Sequence, residues 1–349
     1  MSKIPEMSLR EKVGRLFIVR PESLEPAIRY DSDAELPQHR LQEVSDGMRR
    51  RAERYPAGGI LLYGHNIADP EQLRRFTREL RALPGSPLLC IDEEGGRVSR
   101  IAGNPAFGVP RFESAASIAA GGDAQAAYDA AFAIGSYLKD YGFDIDFAPV
   151  ADVNTNPQNI IIGSRAFSDD PRRAAPLVAA FVRGLSDAGV AGCIKHFPGH
   201  GDTLSDTHFG HAFSNKSWEQ MRDCELIPFR AGIDAGAPLV MAAHIAAPAV
   251  TGDDLPASLS PLLLTEKLRG ELGYDGLIIT DALEMGAVSQ RFGSGEAAVR
   301  AFLAGADLLL CPQDYCSAFD AVLDAVRSGR ISEAMLEVSL SRIICSHLR

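Results

Sequence analysis

The chain has 349 residues, 46% apolar and 23% charged, with 35 basic against 46 acidic side chains and a net charge of −11. That composition excludes disorder, collagen and coiled coil as overall descriptions, and its acidity argues against nucleic acid or an anionic membrane as partner, since both select clustered positive charge. At roughly 150 residues per domain the length suggests two domains, but single α/β barrels run longer.

The first ten residues contain neither a leader-like apolar stretch nor a lipid-attachment cysteine. No apolar run approaches a membrane span, so the expected location is cytoplasmic. Ser8 with Glu11 forms a capping box ahead of an opening helix. Strand-like apolar segments follow at 16–19, 59–63, 88–91, 145–150, 191–194, 239–243, 276–280 and 306–310. Most are continuously apolar, as strands of a parallel sheet covered on both faces are. Helical stretches lie between them. Asp69-Pro70, Asp170-Pro171 and Ser260-Pro261 each set a capping side chain before a proline at the first helical position, and Ser332 can cap the last helix.

Eight strand–helix units predict an α/β fold, a (β/α)8 TIM barrel, with an open doubly wound sheet as the alternative. No linker or low-complexity tract divides the chain, so residues 1–349 are expected to form one domain. Cys90, Cys193 and Cys311 fall inside strand-like runs and no CxxC pair occurs, which predicts reduced, buried thiols. The stretch 197–216 is too long for a simple connector and is expected to be an active-site loop.

Polar residues gather just beyond the strands, where barrels carry their active sites. Asp92-Glu93-Glu94-Gly95-Gly96-Arg97 follows the third, Asp152 and Asn154 the fourth, and Ile162-Gly163-Ser164-Arg165 occurs later in that connection. Lys195-His196 ends the fifth, His244 follows the sixth and Asp281 the seventh. Four of the eight histidines, His196, His200, His208 and His211, fall close together around the long loop.

Three chemistries could use this set. A metal-dependent hydrolase would want an HxH pair after strand one, where Phe17-Ile18-Val19-Arg20 has none, and Pro198-Gly199 keeps His196 and His200 off a common helix face. No metal or other cofactor is therefore expected. Serine or cysteine nucleophilic hydrolysis lacks a GxSxG elbow. Glycosyl transfer needs a carboxylate on one face of a sugar and a proton donor on the other. Asp281, at the end of a strongly apolar strand, suits the first role, though it could instead merely cap the turn at 283–289. His208, oriented by Asp206, suits the second. Alone, an Asp-x-His is by default a surface pair.

The block Lys195-His196-Phe197-Pro198-Gly199-His200-Gly201-Asp202-Thr203, then Asp206-Thr207-His208, closely resembles the signature of glycoside hydrolase family 3 β-N-acetylglucosaminidases, the NagZ type. Ile91-Asp92-Glu93-Glu94-Gly95-Gly96-Arg97-Val98, Ile162 to Phe167 and Thr280 to Ala287 fit the same family in order, over roughly residues 8 to 345. The resemblance implies a retaining hydrolase acting on terminal β-linked N-acetylglucosamine (GlcNAc) of small saccharides such as peptidoglycan fragments. It assigns Asp281 as nucleophile, His208 as acid/base with Asp206 as its partner, and Asp92, Arg165, Lys195 and His196 as residues that grip sugar hydroxyls. A structural ion pair is the competing role for each of these four.

A histidine acid/base also repels an anionic acceptor less, so a phosphorylase using phosphate is the closest alternative. Family β-glucosidases take their acid/base from an added C-terminal domain, for which this sequence offers no room. The segment after Asp281 departs from many members, which carry a second Asp and a Ser-Met-Glu order, and Glu284 could be mistaken for the nucleophile. Asp281 is preferred because it terminates the strand. His200, His211 and His244 are expected to order loops.

Overall fold

All eight apolar segments form strands: β1 Phe17–Val19, β2 Gly59–Leu62, β3 Leu88–Ile91, β4 Ile145–Asp146, β5 Ala191–Phe197, β6 Leu239–Ala242, β7 Leu277–Thr280 and β8 Leu309–Leu310. The computed structural model describes residues 6–28, 40–203, 212–346 and 348. The strands pair in parallel in the order β7-β6-β5-β4-β3-β2-β1-β8. A parallel bridge from Ile279 to Leu308, with Asp307 N donating to Ile278 O at 2.8 Å, joins the two ends. The sheet therefore closes into a barrel, and the open doubly wound alternative is excluded.

The continuously apolar strands serve two cores. Ile18, Leu61, Cys90, Ile145, Cys193, Leu239, Met241, Leu277, Ile279 and Leu310 pack together inside the barrel. Their chain neighbours, including Phe17, Val19, Ile60, Leu62, Leu89, Ile194, Val240, Ile278 and Leu309, pack outward against the helices. Successive side chains point to opposite faces of a strand, so burial on both faces needs apolar residues at both parities. Each fully buried Leu, Ile or Phe contributes about 1.5–3 kcal/mol. Strand β4 is shorter than its apolar run because Pro149 has no N–H for the ladder. Only an isolated bridge from Val150 to Lys195 continues it.

The helices start where their caps predict. Ser8 and Glu11 complete the capping box of α1, Leu9–Gly14. Helix α2, Asp46–Arg54, links β1 to β2. Asp69 caps α3, Pro70–Arg81, and Asp170 caps the long helix Pro171–Asp187. Ser332 caps the final helix Glu333–Cys345. The segment after Ser260-Pro261 differs: Leu262–Glu271 is a π-helix, with Leu272 N bonded to Lys267 O five residues back at 2.9 Å, and nothing in its packing explains the wider winding. All six cysteines are free thiols, and Cys90, Cys193 and Cys311 are buried as expected.

Two small sheets shape the C-terminal face. Glu93–Gly95 pairs antiparallel with Val98–Ser99 to make a hairpin above β3, turning at Gly96. Gly96 has φ +73°, and a Cβ there would lie 2.7 Å from Glu113 O, so only glycine fits. Ala212–Phe213 pairs in parallel with Ile245–Ala246 beyond β6.

Candidate active site

Side chains two residues apart on a strand share a face. Cys90, Cys193 and Ile279 belong to the barrel interior. Asp92, Lys195 and Asp281 each stand two residues further on, so the same parity carries them into the mouth. The strand ends there are level: Ala243 N donates to Phe197 O, and Asp281 N to Ala242 O, both at 2.8 Å.

Lys195 is the centre of a buried charge network. Its Nζ lies 2.8 Å from Asp92 Oδ1 and 2.6 Å from Glu94 Oε1. Glu94 also accepts from Arg165 Nε at 2.8 Å and Nη2 at 2.7 Å, a bidentate pair. Arg165 Nη1 donates to Ile161 O at 3.1 Å, and Arg100 Nη2 approaches Asp92 Oδ2 at 3.6 Å. Burial alone would raise the pKa of Glu94, but the charges of Arg165 and Lys195 overcome it and hold this carboxyl well below the usual range. Burial would likewise strip Lys195 of its proton, but Asp92 and Glu94 reverse the effect and raise its pKa. The ammonium, two donors engaged, keeps a third for a ligand in the mouth.

A second cluster forms around Asp152. His196 Nδ1 lies 2.7 Å from its Oδ2, and the backbone N–H groups of His196 and His200 donate to it at 3.2 and 2.6 Å. This one carboxylate thus orients the imidazole of His196 and ties down the turn that follows β5. Its pKa falls despite complete burial, held by His196 and His200. His200 is buried, with Nδ1 2.7 Å from Thr203 Oγ1, and burial together with His196 pushes its pKa down. Asn159 donates to its carbonyl at 2.7 Å. His200 orders the loop, as expected, and so does His244: Nδ1 meets Ser258 Oγ at 2.7 Å and Nε2 meets Ala282 O at 2.8 Å, beside Asp281.

Asp281 Oδ1 accepts from Ala282 N at 2.8 Å, which sets the carboxylate at the very end of β7. The short helix Gly286–Ser289 starts without a side-chain cap, so the bland role of helix cap does not describe Asp281. Glu284 pairs with Arg20 at the end of β1, whose guanidinium lies 4.6 Å above the Tyr63 ring. A carboxylate bound to a cation in this way is a poor nucleophile, which separates Glu284 from Asp281 in role.

Of the expected residues, the structure brings Asp92, Lys195 and Arg165 into one network, with Glu94 as its hub. His196 stands next to Lys195 but is held by Asp152. Asp206, His208 and His211, with the middle of the 197–216 loop, lie outside the described residues. Sequence reasoning passed over Arg100 and gave no role to Glu94 or Asp152. Their signal is spacing: Glu94 is two residues past Asp92, and Asp152 two past Val150, which bridges to Lys195. Among the described residues no group of three or more His, Cys, Asp or Glu side chains is arranged to hold a metal.

The sequence profile of the glycosyl hydrolase family 3 N terminal domain matches residues 8–345. The chain belongs to glycoside hydrolase family 3. As a member of that family it is a glycoside hydrolase, and the barrel is the family fold. It is 38% identical over 290 residues to a beta-hexosaminidase of Stenotrophomonas maltophilia, covering 81% of this chain and 84% of that one. It superposes with a TM-score of 0.86 and 40% identity on a family 3 beta-N-acetylglucosaminidase from a Paenibacillus, over 98% of this chain. This chain spans only 62% of the Paenibacillus protein. A family 3 glycosyl hydrolase from Mycobacterium smegmatis matches end to end, with a TM-score of 0.81, 30% identity, and coverage of 99% and 98%.

Proposed function

We propose that this protein is a retaining exo-β-N-acetylglucosaminidase that releases terminal β-linked GlcNAc from small saccharides, peptidoglycan fragments among them. The observation that carries this reading is the position of Asp281 at the end of β7, on the parity of Lys195 and Asp92, in a chain this similar to hexosaminidases. Asp281 attacks the anomeric carbon while the bond to the leaving oxygen breaks, and His208 gives that oxygen its proton. Water then attacks the glycosyl-enzyme, His208 takes the water's proton, and Asp281 is released. Asp206 orients the imidazole and stabilises its charged form.

Asp92, Lys195, Arg165 and His196 hold the sugar hydroxyls. Asp92 accepts from them, and the remaining donors of Lys195 and Arg165 point charge-assisted bonds at hydroxyl oxygens. The arrangement is preorganised, since both cations are fixed by Glu94 before any sugar arrives.

The test is to trap the intermediate with a fluorinated β-N-acetylglucosaminyl donor and map it by tandem mass spectrometry. An adduct on Asp281 is expected; an adduct on Glu284 would overturn the nucleophile. Turnover of an aryl β-glucoside but not an aryl β-GlcNAc would overturn the substrate. Strong acceleration by inorganic phosphate, with a sugar 1-phosphate as product, would turn the hydrolase into a phosphorylase.

A further inference from the structure

Helix α2 carries Arg49, Arg50, Arg51 and Arg54 within nine residues, on a chain of net charge −11. Gly47, Arg50, Arg51 and Arg54 are spaced i, i+3, i+4 and i+7 and therefore share one helix face. With Tyr55 and Cys316 that face lines a cavity of about 360 Å³. The size falls within the roughly 300–1,000 Å³ of small-molecule sites. None of these residues belongs to the barrel mouth.

The three guanidiniums share an unusual lack. Among the described residues none of them has a carboxylate within ion-pair distance. Arg51 makes one long bond, 3.4 Å, to Ser23 O, and Arg54 lies 5.3 Å from the centre of the Tyr55 ring. The acids around the cavity are committed elsewhere. Glu25 takes Ser45 Oγ and Ala27 N; Asp314 Oδ1 caps its helix through Ser317 N; Asp320 accepts from Tyr55 Oη at 3.0 Å and faces Arg10 at 3.7 Å. A Cβ on Gly47 would crowd Pro26 and Glu25, at 3.0 and 3.1 Å, so the glycine leaves room where a side chain would intrude.

Like charges three and four apart on a helix repel, and an anion seated among them removes the repulsion. Planar guanidinium forks match phosphate oxygens in pairs, and the Tyr55 ring offers a flat apolar wall beside them. We propose that this cavity binds a phosphate dianion, either free or as the monoester of a small sugar. The proposal goes beyond the glycosidase reading and does not depend on it.

Isothermal titration of the intact protein with inorganic phosphate and with glucose 6-phosphate tests it, with glucose as the uncharged control. Saturable binding of at least one phosphate is expected, weakened by added salt and lost about tenfold or more in Arg50→Ala/Arg54→Ala. Equal affinities assign the site to free phosphate; tighter glucose 6-phosphate assigns it to the monoester. The double variant should still turn over an aryl β-GlcNAc normally, which shows that it folds. No binding of either phosphate in the millimolar range overturns the proposal, and so does binding that the double variant keeps.

Discussion

Glu94 receives Arg165 on both carboxylate oxygens, at 2.7 and 2.8 Å, and Lys195 on one of them at 2.6 Å. A single carboxylate thus neutralises two buried cations. Glu94→Ala leaves both without it, and we expect a loss of about 3–5 kcal/mol in urea unfolding. Glu94→Gln keeps shape and one acceptor and should lose about 1–3 kcal/mol. Equal stability of Glu94→Ala and the parent would show that the network is solvated.

Asp152 fixes His196 by its ring and both His196 and His200 by their backbones. Asp152→Asn keeps the volume but inverts one hydrogen bond, so the imidazole shifts from its place beside Lys195. A displacement of this kind costs roughly 10²-fold in kcat/KM. Steady-state kinetics on an aryl β-GlcNAc reads it, and an unchanged kcat/KM would remove His196 from the sugar site.

The two carboxylates of the β7 turn should separate cleanly. Asp281→Ala is expected to lose roughly 10³-fold or more in turnover, with partial rescue by azide to a glycosyl azide of inverted configuration. Glu284→Gln should keep turnover within about tenfold while losing stability, because Arg20 is left uncompensated. The reverse ranking would exchange their roles.

For His208→Ala the loss should depend on the leaving group. An aglycone that needs its proton should slow by about 10²–10⁴-fold, and an activated dinitrophenyl glycoside much less. Equal losses on both would deny His208 the acid role.

Acid should destabilise the protein in two stages. Burial and His196 depress the pKa of His200 below its ordinary 6.5, so the unfolded chain takes up a proton that the folded one refuses. That contribution is complete above 6.5 and is lost as the pH falls through the depressed value. Glu94 and Asp152, held below 4.5 and 3.8 by their cationic partners, contribute above those values and lose it at lower pH. Melting temperature against pH measures both stages. His200→Gln should abolish the first, and a flat profile from pH 7 to 5 would refute it.

The sequence by itself determined the barrel and much of its mouth. Eight continuously apolar segments had to be strands buried on both faces, and period-two alternation from Cys90, Cys193 and Ile279 aims Asp92, Lys195 and Asp281 at one point. The caps at Asp69, Asp170 and Ser332 were legible because capping is local. Only the tertiary structure decided closure, which rests on the Ile279–Leu308 bridge. It also decided what each charged group pairs with. Glu94 meets Arg165 across 71 residues and Asp152 meets His196 across 44. Such pairing depends on distance in space and the exclusion of water, neither of which follows from separation along the chain.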